Sequence, residues 1–91
     1  MTRKEILAEA EKCVCSDRNM KYGEPEDNFS VIAKFWSTFL DIEIAAWQVA
    51  AMMMLMKNAR IKSSNGMDKD SWVDSAGYSV CGLELMFRGE E

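Results

Sequence analysis

Ninety-one residues, 48% of them hydrophobic, leave room for one domain spanning 1–91 with a single core, and at this size oligomerisation is an expected supplement. The 15 acidic against 11 basic side chains give a formal net charge of −4, which argues against direct nucleic-acid binding, since counterion release rewards clustered lysine and arginine. No histidine occurs, so Ser-His or Cys-His catalysis and imidazole metal ligation are excluded. Catalysis, if any, would run on carboxylates, lysine, tyrosine or a carboxylate-bound metal. A single proline and eight methionines suit a helical protein with an adaptable core or contact surface. The odd set Cys13, Cys15 and Cys81, with no secretory leader ahead of it, points to free buried thiols and a cytoplasmic location.

Thr2 followed by Glu5 fits a capping box, and Ile6, Leu7, Ala10 and Val14 follow at helical spacing, predicting a first helix from about Thr2 to Cys15. The polar stretch SDRNMKYGEPEDN comes next, with Gly23 and Pro25 marking a turn into the second helix. It gathers Arg18, Lys21 and Tyr22 between rigid elements, where binding residues tend to sit; packing of Tyr22 over the core edge, with both cations solvated, is an equal alternative. The second helix is expected from about Glu26 to Leu40, with Phe29, Ile32, Ala33, Trp36, Phe39 and Leu40 as an inward stripe. Asn28 falls in its first turn, able to cap the helix or point into the Tyr22 loop.

The stretch Ile44–Arg60, IAAWQVAAMMMLMKNAR, has Gln48 as its only polar side chain before Lys57. A helix apolar all round is expected to be buried, by the rest of the chain or by a second copy. It falls short of the ~20 apolar residues a bilayer span needs, so no membrane role is expected. The Ser/Asn/Gly-rich connection IKSSNGMDKD then predicts an antiparallel return. A fourth helix runs from Asp68 or Asp70 to about Phe87, with Trp72, Val73, Ala76, Val80, Leu83 and Met86 as its apolar face. Asp70, Asp74, Gly77 and Cys81 line a neighbouring strip, and Gly77 in mid-helix costs about 1 kcal/mol relative to alanine, which close approach of a helix or ligand should offset. The expectation is an all-α, compact four-helix-bundle-like domain with a buried central helix, assembled as a homo-oligomer.

An α-hairpin of this kind brings Lys57 and Arg60 beside Asp70 and Asp74. Three readings are open. The cluster is a structural ion-pair network; or Lys57 and Arg60, with Arg18 or Lys21, bind phosphate groups; or Asp70 and Asp74 hold a divalent cation such as Mg²⁺.

The succession Arg18, Tyr22-Gly23, Asn28-Phe29, Ile32-Ala33, Trp36, Met53, Lys57 through Arg60, Asp70, Asp74 and Ala76-Gly77-Tyr78 resembles a family of small phage and prophage proteins. That family in turn looks distantly like the MazG-type all-α nucleotide pyrophosphohydrolases, four-helix oligomers that cleave nucleoside triphosphates with magnesium. The resemblance implies a nucleotide-sized ligand. The departures bear on catalysis: the paired Glu-x-x-Glu and Glu-x-x-Asp ligands are missing, Asp70 and Asp74 are spaced by four, and Gln48 stands where related phage proteins place an aspartate. The preferred expectation is therefore a non-enzymatic binder of a nucleotide or phosphate-bearing molecule, needing no cofactor, that sequesters a host signalling nucleotide as an anti-defence device. Arg18, Lys21, Asn28, Lys57 and Arg60 would bind, and Tyr22 or Tyr78 would stack on a base. One alternative is a Mg²⁺-dependent pyrophosphohydrolase. Another is an acidic inhibitor presenting Glu5, Glu9, Glu24, Glu26 and Asp27 to a host nucleic-acid-binding protein.

Overall fold

A computed structural model describes residues 1–17 and 25–88, which are all-helical with no strand among them. The first helix, α1, spans Arg3–Lys12 and runs on into a π-helical turn over Cys13–Asp17. Its start follows the predicted capping box: the Glu5 amide donates to the Thr2 hydroxyl at 3.2 Å, and the Thr2 amide donates back to the Glu5 carboxylate at 3.1 Å. Helix α2 is Pro25–Leu40, α3 is Ala46–Ser63 and α4 is Lys69–Met86.

Two devices make the turns. At the end of α2, Asp41 adopts a left-handed backbone (φ 57°), the Ser37 hydroxyl donates to the Ala33 carbonyl at 2.7 Å, and the Ile44 amide donates to that hydroxyl at 2.9 Å. One serine thus ties the end of α2 to the approach of α3. After α3, Asn65 and Gly66 are both left-handed, at φ 53° and 81°, and the Gly66 amide donates back to the Ile61 carbonyl at 2.8 Å. Asparagine and glycine tolerate that backbone best, so the Asn-Gly pair read as a turn does close the hairpin. The Trp72 indole pins it by donating to the Gly66 carbonyl at 3.0 Å.

Helices α3 and α4 pack antiparallel, and α2 and α1 both lean on this pair, α2 mainly on α3 and α1 on α4. Phe29, Ala33, Val49, Ala50 and Cys81 form the buried centre, with Ile32, Trp36, Met53, Tyr78 and Leu85 half-buried around it. Small residues set the helix separations. A Cβ placed on Gly77 would lie 3.0 Å from Val14 Cγ1, and one on Gly82 would lie 3.3 Å from Ala50 Cβ. The cost of Gly77 is thus offset by the close passage of the turn after α1.

The structure corrects the predicted inner faces. Helix α3 is enclosed on one side only: Val49 and Ala50 are fully buried, while Trp47 (40% exposed) and Leu55 (66%) face outward, because α2 and α4 together cover part of its circumference. In α2, Phe39 and Leu40 are exposed rather than inward. In α4 the inner face is shared between the two strips. Val73 is buried and Ala76 half-buried as expected, and Ser71, Gly77 and Cys81 turn inward with Asp74 half-buried beside them, whereas Trp72, Val80, Leu83 and Met86 of the expected core face are exposed. Bulky side chains at Gly77 and Gly82 would hold α4 away from Val14 and from Ala50 of α3, so its closest contacts are made by small residues. Cys13 is half-buried and Cys81 buried as expected for free thiols, but Cys15 is exposed. None of the helices is long and apolar enough to cross a membrane.

Candidate functional site

The end of the α3–α4 hairpin carries the most concentrated group of polar side chains predicted to matter. On α3, Lys57 is buried, and its Nζ lies 2.8 Å from Asp74 Oδ2 on α4. The Asp74 side chain keeps 36% of its exposure, so the pair is anchored inside and opens to solvent on its acidic side. Of the three readings of this cluster, the ion pair is formed between these two residues. Arg60, three residues on, is exposed and pairs with no carboxylate among the described residues. Asp70 is exposed in the first turn of α4.

Arg60 lines an open cleft of about 420 Å³ together with Met56, Ala59, Ser63, Ser64 and Asp68. Sequence reasoning named Asp68 only as a start of the fourth helix, and passed over Ser63 and Ser64 as site residues. Asp68 caps α4, accepting from the Ser71 amide at 3.2 Å and the Ser71 hydroxyl at 2.7 Å. These bonds, with smaller help from Lys57 and Arg60, hold its carboxyl below the usual aspartate range. The Ser64 hydroxyl accepts from the Asp68 amide at 3.0 Å, which ties the cleft wall to the cap. The signal for all three was present in the Ser-Ser-Asn-Gly turn and in the Asp-x-x-Ser spacing that follows it.

Tyr78 lies one helical turn beyond Asp74, half-buried, with its ring 6.0 Å from that of Phe29 and tilted by 36°. Its ring is part of the core wall. Asn28, next to Phe29 and half-buried, sits with this aromatic pair at the start of α2. The hairpin thus brings Lys57 to Asp74 and presents Arg60 at its end, while Asn28 and Tyr78 belong to a second neighbourhood further along α4. Arg18, Lys21 and Tyr22 lie outside the described residues. Gln48 acts locally, its Oε1 accepting from the Ala45 amide at 2.8 Å to cap the start of α3, where alanine has no side-chain acceptor. Among the described residues no group of three or more Asp, Glu or Cys side chains converges as a metal site would require.

The matching family model covers residues 5–86 and is described as a domain of unknown function, DUF6378. The chain belongs to that family. It is 45% identical over 76 residues to the "Gene 55 protein" of Mycobacterium phage D29, an alignment covering 84% of this chain and 50% of the relative. It is 37% identical over 75 residues to the "Gene 55 protein" of Mycobacterium phage L5, covering 81% of this chain and 47% of the relative. This member of the DUF6378 family therefore spans about half the length of those curated phage relatives. The expected likeness to a small phage protein family is borne out. No solved structure matches the chain.

Proposed function

We propose that this phage-type protein binds a nucleotide or another small phosphate-bearing molecule at the end of the α3–α4 hairpin. The observation that carries the reading is Arg60, an exposed guanidinium in no salt bridge among the described residues, at a cleft edged by Ser63 and Ser64. A guanidinium offers paired donors matched to phosphate oxygens, and serine hydroxyls are adaptable donors beside it. The Asp68 carboxylate on the same wall has both oxygens engaged by the Ser71 cap, and its charge is set against those of Arg60 and Lys57. Lys57 contributes charge from behind and is held by Asp74, so it supports the site rather than reaching a ligand directly. The Tyr78 neighbourhood would receive a base only with rearrangement of its contact with Phe29. In a phage-infected cell such a protein would work in the host cytoplasm by sequestering a signalling nucleotide.

Binding is preferred to Mg²⁺-dependent pyrophosphate cleavage on the donor set. Asp74 is already neutralised by an ammonium 2.8 Å away, so a divalent cation on Asp70 and Asp74 has to displace Lys57 first. Docking on a host nucleic-acid-binding protein would draw on Glu5 and Glu9 of α1, but Glu5 is engaged in the cap of that helix.

Calorimetric titration with inorganic phosphate and a panel of mono-, di-, tri- and cyclic nucleotides tests the proposal. A member of the panel should bind, and Arg60→Ala should weaken it by about tenfold or more, with Arg60→Lys recovering part of the loss. Absence of heat across the panel at millimolar ligand, or affinity indifferent to Arg60→Ala, rejects it. Metal-dependent turnover lost in Asp70→Asn would favour the hydrolase instead.

A further inference from the structure

Helix α2 shows two faces of different character. Phe29 and Ala33 are buried against the hairpin, whereas Val31, Phe35 and Phe39, spaced i, i+4 and i+8, are 50%, 70% and 88% exposed. Ile42, just past the helix end, is 60% exposed as well. Two phenylalanines this bare on one stripe are not the scattered surface apolar residues of an ordinary monomer. We infer that the outer face of α2 is the contact between two copies of this chain, packed antiparallel about a two-fold axis at Phe35 so that Val31 of one copy meets Phe39 of the other.

Three observations support a second copy as the occupant. The first is charge. From Asn28 to Leu40 the helix carries Lys34 as its only charged residue, although the chain as a whole is at −4. Two acidic molecules can therefore meet along Val31–Phe39 without setting carboxylates against each other, Asp41 and Glu43 falling at the rim of the contact. The other exposed stripe, Trp72, Val80, Leu83 and Phe87 on α4, has Glu84 alongside it and would bring like charges together in a symmetric contact. The second is area. Val31, Phe35, Phe39 and Ile42 offer roughly 500 Å² of apolar surface, most of the ~800 Å² each partner contributes to a standard interface, with Thr38 alongside to supply more. The third is self-complementarity. An isologous interface needs a patch that fits itself, and a ridge with an aromatic at its midpoint and apolar residues on either side does so on an antiparallel copy.

Sedimentation velocity on the full chain from low to high micromolar concentration provides the test, alongside a Phe35→Asp, Phe39→Asp double variant and, as a control on the other stripe, Leu83→Asp. The wild type should be dimeric, the α2 variant should dissociate about 100-fold more readily, and the α4 control should behave as wild type. A monomeric wild type overturns the inference, as does a dimer that only Leu83→Asp breaks. So does a chain monomeric when pure that is isolated in stoichiometric complex with a different protein. Should the α2 variant lose its helical signal, hydrogen exchange on the wild type decides. Amides of 31–42 that lose protection on dilution, while those of 72–86 do not, support the contact, and protection independent of concentration refutes it. None of these outcomes depends on whether a phosphate ligand binds at Arg60.

Discussion

A buried ammonium is costly when its anion is removed and cheap when it is itself replaced by an apolar chain of similar length. Lys57 and Asp74 are placed to display that asymmetry, since the lysine is buried and the aspartate still reaches water. Asp74→Asn leaves the charge inside with a neutral neighbour and should lower stability by about 2 kcal/mol, less than a fully buried pair would lose because solvent partly screens the site. Lys57→Met strands only a half-exposed carboxylate and should cost less than about 1 kcal/mol. Urea midpoints of the two variants check this order, and equal losses would mean that the burial of Lys57 is not what gives the pair its weight. The double variant should lie close to Lys57→Met, since the buried ammonium is gone in both. Gln48, similarly, is polar in an apolar run because it closes the N-terminus of α3. Gln48→Ala should therefore lose about 0.5–1 kcal/mol although no buried packing is removed.

Between elements, the passage of Val14 over Gly77 sets two effects against each other. Alanine at position 77 gains about 1 kcal/mol of helix propensity, yet its Cβ would sit 3.0 Å from Val14 Cγ1, tight enough to force α1 and α4 apart. Gly77→Ala should be neutral to mildly destabilising in the native background. In a Val14→Ala background the obstruction is gone, and the same change should stabilise by up to about 1 kcal/mol. A thermodynamic cycle that shows no coupling would place the contact elsewhere. The positions of the helices were legible in the sequence through short-range chemistry: the Thr2–Glu5 capping box, the Asn65-Gly66 turn and the run of helix formers in α3. Which side of α4 faces inward was not. Hydrophobicity points to Trp72, Val80, Leu83 and Met86, while the partners that α4 meets reward small residues; the mid-helix Gly77 announced such a close approach, but Gly82 and Cys81 carry no such signal in a single chain. Of the site, the Lys57–Asp74 pair was legible because hairpin spacing dictates it. The core position of Tyr78 was not, since it follows from where α2 crosses and not from any local motif.

For the molecule as a whole, acid should act through helix starts. Glu5 accepts from the Thr2 amide and hydroxyl at the head of α1, and Asp68 accepts from Ser71 at the head of α4. Both carboxyls are held below their ordinary values, Glu5 by its bonds to Thr2 and Asp68 first by the Ser71 hydroxyl, then by the Ser71 amide. A carboxyl whose folded-state value is depressed binds protons more readily in the unfolded chain. Its contribution is fully present above the unfolded value, near 4 for these groups, and is lost as pH falls through the folded one. With no histidine in the chain, no imidazole step interrupts the neutral plateau. Stability followed by chemical denaturation should be level around neutrality and decline once pH drops into the carboxylate range. Asp68→Asn retains an oxygen able to accept from Ser71 but removes the titrating charge and its attraction to Lys57 and Arg60. The gap between wild type and this variant should therefore be widest at neutral pH and narrow on acidification, as the wild-type cap becomes neutral too. A gap of constant size down to the acid limit would mean that Asp68 stabilises α4 through its hydrogen bonds irrespective of charge, and the electrostatic part of the link between the cap and the Arg60 cleft would then have to be abandoned.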